Sequence, residues 1–234
     1  MYKSLENISV NLSENDIKLF NCFCDYFLEY NSKINLISKN DSKYLYEKHI
    51  YDSLAFNLFY KKYLNDKTIK LLDIGTGGGF PAIPVSMYYK YINVTALDSI
   101  NKKIKFIESV KDELKLTNLT TVCSRVEELN QKLRESFDIV TSRAMARLNI
   151  ILEYAIPFLK TGGYFVAYKS IKADEEINEA QNALKLLKSE VIDKIKYELP
   201  LDEDNKRILI IVKKLSATSA KFPRQNGLVK KKPL

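Results

Sequence analysis

The spacing of apolar positions along the chain changes near residue 68. Upstream, Ile17, Phe20, Phe23, Phe27 and Leu28 recur at intervals of three and four, with Leu19 and Tyr26 widening the stripe, and this predicts a helix. Ser13 followed by Asp16 marks its start as a cap with an acidic first turn, and the period carries it to about Tyr30. The polar triplet Asn31-Ser32-Lys33 reads as a break and residues 34–37 as a short apolar stretch. A second helix is predicted from Asp41 to about Tyr63, closed by Asn65-Asp66-Lys67.

From Ile69 onward, short β-branched runs alternate with helical stretches. Residues 69–74 lead into a helix from Pro81, residues 92–97 into one from Asn101, and residues 119–123 into a short helix from Arg125. Residues 137–141 precede a helix from about Asn149, and residues 164–168 one from Ala173 to Leu187. Such alternation implies a mostly parallel sheet covered by helices on both faces. Residues 191–199 and 207–213 break the rule. The six residues between them are too few for a crossover helix, so the two runs should form a terminal antiparallel hairpin. The expected architecture is Rossmann-like α/β: a mostly parallel seven-stranded sheet with a terminal antiparallel hairpin and an N-terminal helical extension. The implied divisions are a helical segment over 1–67, a nucleotide-binding domain over 68–215 and a tail over 216–234.

Four of the seven glycines, Gly75, Gly77, Gly78 and Gly79, fall within five positions at the end of the first predicted strand, in DIGTGGGFP. A tight strand-to-helix turn needs unusual φ and lets a ligand approach backbone. In a doubly wound sheet such a turn lies at the carboxyl edge where ligands bind. A dinucleotide fingerprint counted from Gly75 fails at Phe80, although a looser one through Gly77, Gly79 and Ala82 does not. Asp73, two residues before the first glycine as in the D-x-G-x-G-x-G pattern of methyltransferases, favours S-adenosyl-L-methionine. It is expected to meet the cationic amino group of the methionyl part through a water, or else to cap the turn. Asp98, closing the second strand, is an acceptor for ribose hydroxyls whichever nucleotide binds.

Charge and cysteine usage narrow the setting. The chain carries a formal net charge of +8, and KFPRQNGLVKKKPL at its end holds Lys221, Arg224, Lys230, Lys231 and Lys232 with no acid. That tail suits a polyanion, and Pro223 and Pro233 suggest an extended strip lying along phosphates and leaving the core and the cofactor site alone. A solvated solubilising terminus is the plainer alternative. Three cysteines, Cys22, Cys24 and Cys123, and the single histidine His49 make neither a disulfide framework nor a metal site, so no metal is expected. No apolar run reaches the roughly 20 residues of a membrane span. A cytoplasmic protein without a membrane association, and a monomer, is the expectation.

DIGTGGGFPAIPVS, ALDSINKKIKFI, SRVEEL, TSRAMARL and the terminal KFPRQNGLVKKKPL, with KHIYDS upstream, closely resemble the glucose-inhibited division protein B family. The resemblance spans nearly the whole chain. It departs at Gly78, where the family often has Pro, and at Ala82, where Gly is usual. Members are bacterial small-subunit ribosomal RNA methyltransferases acting on N7 of one guanine in 16S rRNA. The resemblance therefore implies S-adenosylmethionine contacts from Gly75, Phe80, Val126, Glu127 and Arg143, and 16S rRNA or the assembling small subunit as partner. Arg143 is a candidate to brace the methionyl carboxylate, Glu127 or an RNA phosphate, or to serve as a structural ion pair. Because N7 already offers an in-plane lone pair, no general base is required, and His49, three residues before Asp52 on one helical face, is read as a packing residue. Methylation of a protein or small molecule, or RNA binding without catalysis, are the competing readings.

Overall fold

The computed structural model describes residues 2–64, 68–129, 131–225 and 227–234; the expected closure at Asn65-Asp66-Lys67 lies outside the described residues. Seven strands, β1 (Ile69–Ile74), β2 (Ile92–Asp98), β3 (Leu119–Cys123), β4 (Phe137–Arg143), β5 (Leu159–Lys169), β6 (Ser189–Glu198) and β7 (Lys206–Lys214), form one sheet in the order β3-β2-β1-β4-β5-β7-β6. β1 to β5 are parallel, and β7 is antiparallel to both of its neighbours. The hairpin inserts its second strand next to β5. Composition explains the choice: Ile208-Leu209-Ile210-Ile211-Val212 is apolar on both faces and suits an interior strand, whereas VIDKIKYE in β6 carries the charges that protect an edge.

Successive side chains of a strand point to opposite faces, and two cores result. Leu71, Ile139, Val166, Leu209 and Ile211 join one with the helices Ala82–Tyr88 and Asn101–Glu113 and with Leu5, Phe20, Phe23 and Phe27 from the N-terminal helical segment. Leu72, Val140, Phe165, Ile208 and Ile210 join the other, with the helices Leu148–Ala155 and Gln181–Leu186 and with Phe222 and Val229 of the basic tail. The tail thus does enter the core. Its charges are interleaved with apolar residues that bury, which an extended strip on the surface would not do.

The N-terminal helix runs Glu14–Ile34, opened by the reciprocal bonds of Ser13 and Asp16. It continues through the expected break because buried Asn31 directs its polar group inward, where its Oδ1 accepts from Ile37 N–H at 2.9 Å. The second expected helix is four pieces: Lys39–Ser42, a π-helical turn Leu45–Tyr51, Asp52–Leu54 and Phe56–Tyr63. The helix expected over 173–187 divides into Ala173–Glu179 and Gln181–Leu186.

Candidate functional site

The turn after β1 is built by backbone bonds into the neighbouring strand. Gly75 and Thr76 N–H donate to the Leu97 carbonyl at 2.8 and 3.0 Å, and Gly77 N–H donates to Asp98 Oδ2 at 3.0 Å. Gly79, at φ +90°, lies so close to the following helix that a Cβ would come within 2.3 Å of Ile83 Cδ1. Gly77 needs its freedom for conformation alone, since at φ +58° its nearest Cβ neighbour would be 3.9 Å away. Asp98 is nearly buried. Its Oδ1 accepts from Ile100 N–H at 2.9 Å, and Lys103 Nζ stands 3.7 Å from Oδ2. A carboxylate has about four lone-pair sites, so acceptor capacity is left over.

Beside this turn lies a cavity of about 300 Å³, at the lower end of the range for small-molecule sites. One wall is Gly75, Leu97, Asp98, Ser99 and Lys103; another is Ser124, Arg125, Val126 and Glu127; Ala144, Met145, Tyr154, Gly227 and Lys230 complete it. Of the residues expected at a cofactor, the structure brings Gly75, Asp98, Val126 and Glu127 to this wall. Gly77, Gly79 and Phe80 stand behind it and shape the turn. Phe80 packs against Phe23, Phe27 and His49.

Asp73 also stands behind the wall. It is fully buried, its Oδ1 accepts from the Thr141 hydroxyl of β4 at 2.9 Å, and it is not among the residues that line the cavity. Burial pushes its carboxyl up to about 6, with the Thr76 and Thr141 hydroxyls, the Arg143 charge and the Ala82 amide acting the other way. Lys103, Met145, Tyr154 and Gly227 were not foreseen. Lys103 carried a readable signal, one turn into the helix that follows Asp98; Tyr154 lies in an apolar helix where it reads as core.

A second, larger cleft of about 640 Å³ adjoins the first, and Ala144 and Met145 line both. Ala144 has φ +53°, a conformation that costs a residue with a Cβ and recurs at functional sites. Arg143 belongs to this second cleft. It donates from Nη1 to the Lys48 carbonyl at 2.8 Å and to Asp52 Oδ2 at 3.0 Å, and from Nη2 to His49 Nδ1 at 2.7 Å, with its guanidinium 5.4 Å from the Phe80 ring centroid. The π-helical turn is what delivers Lys48, His49 and Asp52 to this one side chain. Arg143 has no bond to Glu127 and does not line the smaller cavity; its ion pair with Asp52 is in place. Since Arg cannot accept, His49 Nδ1 must, and the ring is neutral with its proton on Nε2. Burial, then the nearby Arg143 charge, pushes its pKa down to about 3. Nε2 is buried without a hydrogen-bond partner. Asp52 Oδ1 is held by the Tyr197 hydroxyl at 2.5 Å. Lys48, Arg147, Lys169 and Arg207 add positive charge to the cleft, each beside a carboxylate.

Four of the five basic tail residues, Lys221, Lys230, Lys231 and Lys232, are exposed, Lys221 lying over the Phe222 ring. Arg224 is not. Its guanidinium is committed to buried Glu153, with Nη2 to Oε2 at 2.6 Å, and is not free for a phosphate. Among the described residues no group of three or more His, Cys, Asp or Glu could hold a metal ion, and no helix is long and apolar enough to cross a membrane.

Residues 16–200 match the family model of GidB, rRNA small subunit methyltransferase G. Ribosomal RNA small subunit methyltransferase G of Streptococcus uberis is 41% identical over 235 residues, covering 100% of this chain and 98% of that protein. Its counterpart from Lysinibacillus sphaericus is 37% identical over 99% of this chain and 97% of that protein. Among solved structures, a SAM dependent methyltransferase from Aquifex aeolicus superimposes with a TM-score of 0.55 at 17% identity, over 74% of this chain and 95% of that one. That last likeness speaks for the Rossmann-like fold; the full-length sequence matches and the family model say more, and by them the chain belongs to the GidB family of small-subunit ribosomal RNA methyltransferases.

Proposed function

We propose that the chain transfers the methyl group of S-adenosylmethionine to N7 of a guanine in 16S rRNA, with the cofactor in the smaller cavity and the guanine in the adjoining cleft. The observation that carries this reading is that the two spaces meet at Ala144 and Met145. The donor set fits the cofactor's adenosyl part: Asp98 has acceptor capacity for ribose hydroxyls, and Leu97, Val126 and Tyr154 offer apolar surface for a base. Gly75, at φ +71°, keeps the turn clear where a Cβ would press to 2.9 Å from Met145 Sδ.

When bound, the cofactor's sulfonium supplies an electrophilic methyl group. The remaining work of the protein is alignment, since a lone pair in the guanine plane needs no proton removed before attack. The cleft agrees with that economy. His49, its Nδ1 lone pair occupied by Arg143, is no base at neutral pH, and both Asp52 oxygens are already bonded. Arg143 holds His49, Asp52 and the Lys48 carbonyl as one rigid floor, and Lys221, Lys231 and Lys232, exposed cations of the tail, are set to meet phosphates.

The test is methyl transfer by the purified chain to small subunits from cells lacking the corresponding gene, followed by chemical cleavage selective for N7-methylguanosine. One new cleavage site in 16S rRNA is expected. Methyl incorporation without such cleavage would refute N7, and incorporation into protein alone would refute the RNA substrate.

A further inference from the structure

We infer that tail residues 222–225 and 227–231 are a structural wall of the cofactor cavity, in which Gly227 and Lys230 contact the adenosyl part of bound S-adenosylmethionine while Arg224, paired with Glu153, positions them. The inference rests on the cofactor reading above and reverses the expectation that the tail leaves that site alone.

Four sets of contacts fix the segment. Glu153 is fully buried in the helix after β4, and the charge it needs comes from the tail. Arg224 donates to its Oε1 from the backbone N–H and from Nε, both at 2.8 Å, and to Oε2 from Nη2. This is a bidentate pair with a third bond from the main chain, a directional lock that a lysine would not reproduce. Phe222 and Val229 bury in the same core as Leu148 and Tyr154, and Tyr154 is itself part of the cavity wall. Arg134 grips the segment's start through the Phe222, Thr218 and Ser219 carbonyls. Gln225 Nε2 donates to the Glu127 carbonyl at 2.6 Å. The tail therefore holds the backbone of a residue whose neighbours and side chain face the cavity.

Between these anchors the chain turns at Gly227, at φ +69°, into the short helix Leu228–Lys231, and it is Gly227 and Lys230 that line the cavity together with Asp98, Ser124 and Val126. Exposed Lys230 can lay its aliphatic stem along an adenine while its ammonium stays in water. Arg224 also donates to the Lys232 carbonyl at 2.9 Å, which closes the segment on itself and sets where the Lys230 Cα stands.

The test uses full-length variants and two separate titrations: S-adenosylhomocysteine by calorimetry without RNA, and 16S rRNA binding by filter retention. Wild type must bind S-adenosylhomocysteine; if it does not, the cofactor reading falls and this inference with it. Given that, Lys230→Ala should weaken S-adenosylhomocysteine roughly three- to tenfold, as for loss of one good contact, at an unchanged melting temperature. Lys231→Ala and Lys232→Ala should leave cofactor affinity within about twofold by the same scale. Arg224→Ala should raise KM for S-adenosylmethionine with kcat at saturation retained, and Arg224→Lys should restore part of the loss. If Lys230→Ala weakens RNA binding while cofactor affinity and KM stay within twofold in both Lys230→Ala and Arg224→Ala, the tail is an RNA contact only and the inference is overturned.

Discussion

Acidification should act on this protein through two buried groups of opposite sign. His49 titrates near 6.5 in an unfolded chain but is pushed down to about 3 here by burial and by Arg143. Below pH 6.5 the unfolded chain takes up a proton that the folded one refuses, so the stability held above that pH is lost as pH falls. Between pH 7 and pH 5 the loss comes to about 2 kcal/mol. Asp73 runs the other way. Its carboxyl is raised from 3.8 to about 6, so the folded chain binds the proton first and gains about 1 kcal/mol over the same interval, a gain lost again as pH rises through 6. In wild type the two largely offset each other. Urea unfolding at pH 5, 6 and 7 separates them, read as the change in stability of each variant relative to its own value at pH 7. His49→Asn keeps an acceptor for Arg143 and should be less acid-labile than wild type by about 2 kcal/mol; Asp73→Asn should be more acid-labile by about 1. If the His49→Asn and wild-type values run parallel across the three pH values, His49 is not held neutral by burial, and the assignment of Nδ1 as acceptor for Arg143 fails with it.

Other perturbations give sharper single outcomes. Gly79→Ala should cost about 2 kcal/mol or more in urea unfolding, since it adds both a strained φ and a clash with Ile83. Gly77→Val should abolish S-adenosylhomocysteine binding in calorimetry with little change in packing, because only its φ and its amide bond to Asp98 are at stake. Asp98→Asn should weaken the same ligand roughly ten- to a hundredfold, the scale of a charge-assisted bond. Cys22→Ser and Cys123→Ser, both at exposed thiols, should leave methyl transfer within a fewfold of wild type; abolished turnover with intact cofactor binding would demand a covalent route.

The sheet was legible because its signal is periodic. Each strand from β1 to β5 begins within a few residues of its β-branched run, and the hairpin follows from a connection too short for a helix. The Gly75–Gly79 turn and Asp98 were legible because a nucleotide turn demands those residues at that spacing. Less legible was whatever depends on a partner far along the chain. Asp73 could be nominated from its place before the glycines, but not its bond to Thr141, 68 residues away. Asn31-Ser32-Lys33 looked like a break because its polarity was counted without its direction. The tail misled most: five cations suggested solvent, yet Phe222 and Val229 were in plain view. So was Glu153, a lone acid within NIILEYA, which an apolar helix retains only if an opposite charge arrives to meet it. His49 and Arg143 could be nominated separately, but their shared contact depends on a π-helical turn that no spacing rule anticipates.

The pair formed by Glu153 and Arg224 also sets an order of events during synthesis. The two are 71 residues apart, and at a translation rate of about 5–20 residues per second the carboxylate leaves the ribosome roughly 4 to 14 s before its guanidinium. Throughout that interval Glu153 has no guanidinium to meet it, and burying an unpaired carboxylate is costly, so the helix that carries it is disfavoured from settling against β4 and β5. The opposite face, covered by the N-terminal helices and by those after β1 and β2, also holds a buried acid, Asp52, but its partner Arg143 precedes Glu153 in the chain and so arrives sooner. The face left waiting is the one whose Tyr154, with Gly227 and Lys230 of the tail, lines the smaller cavity.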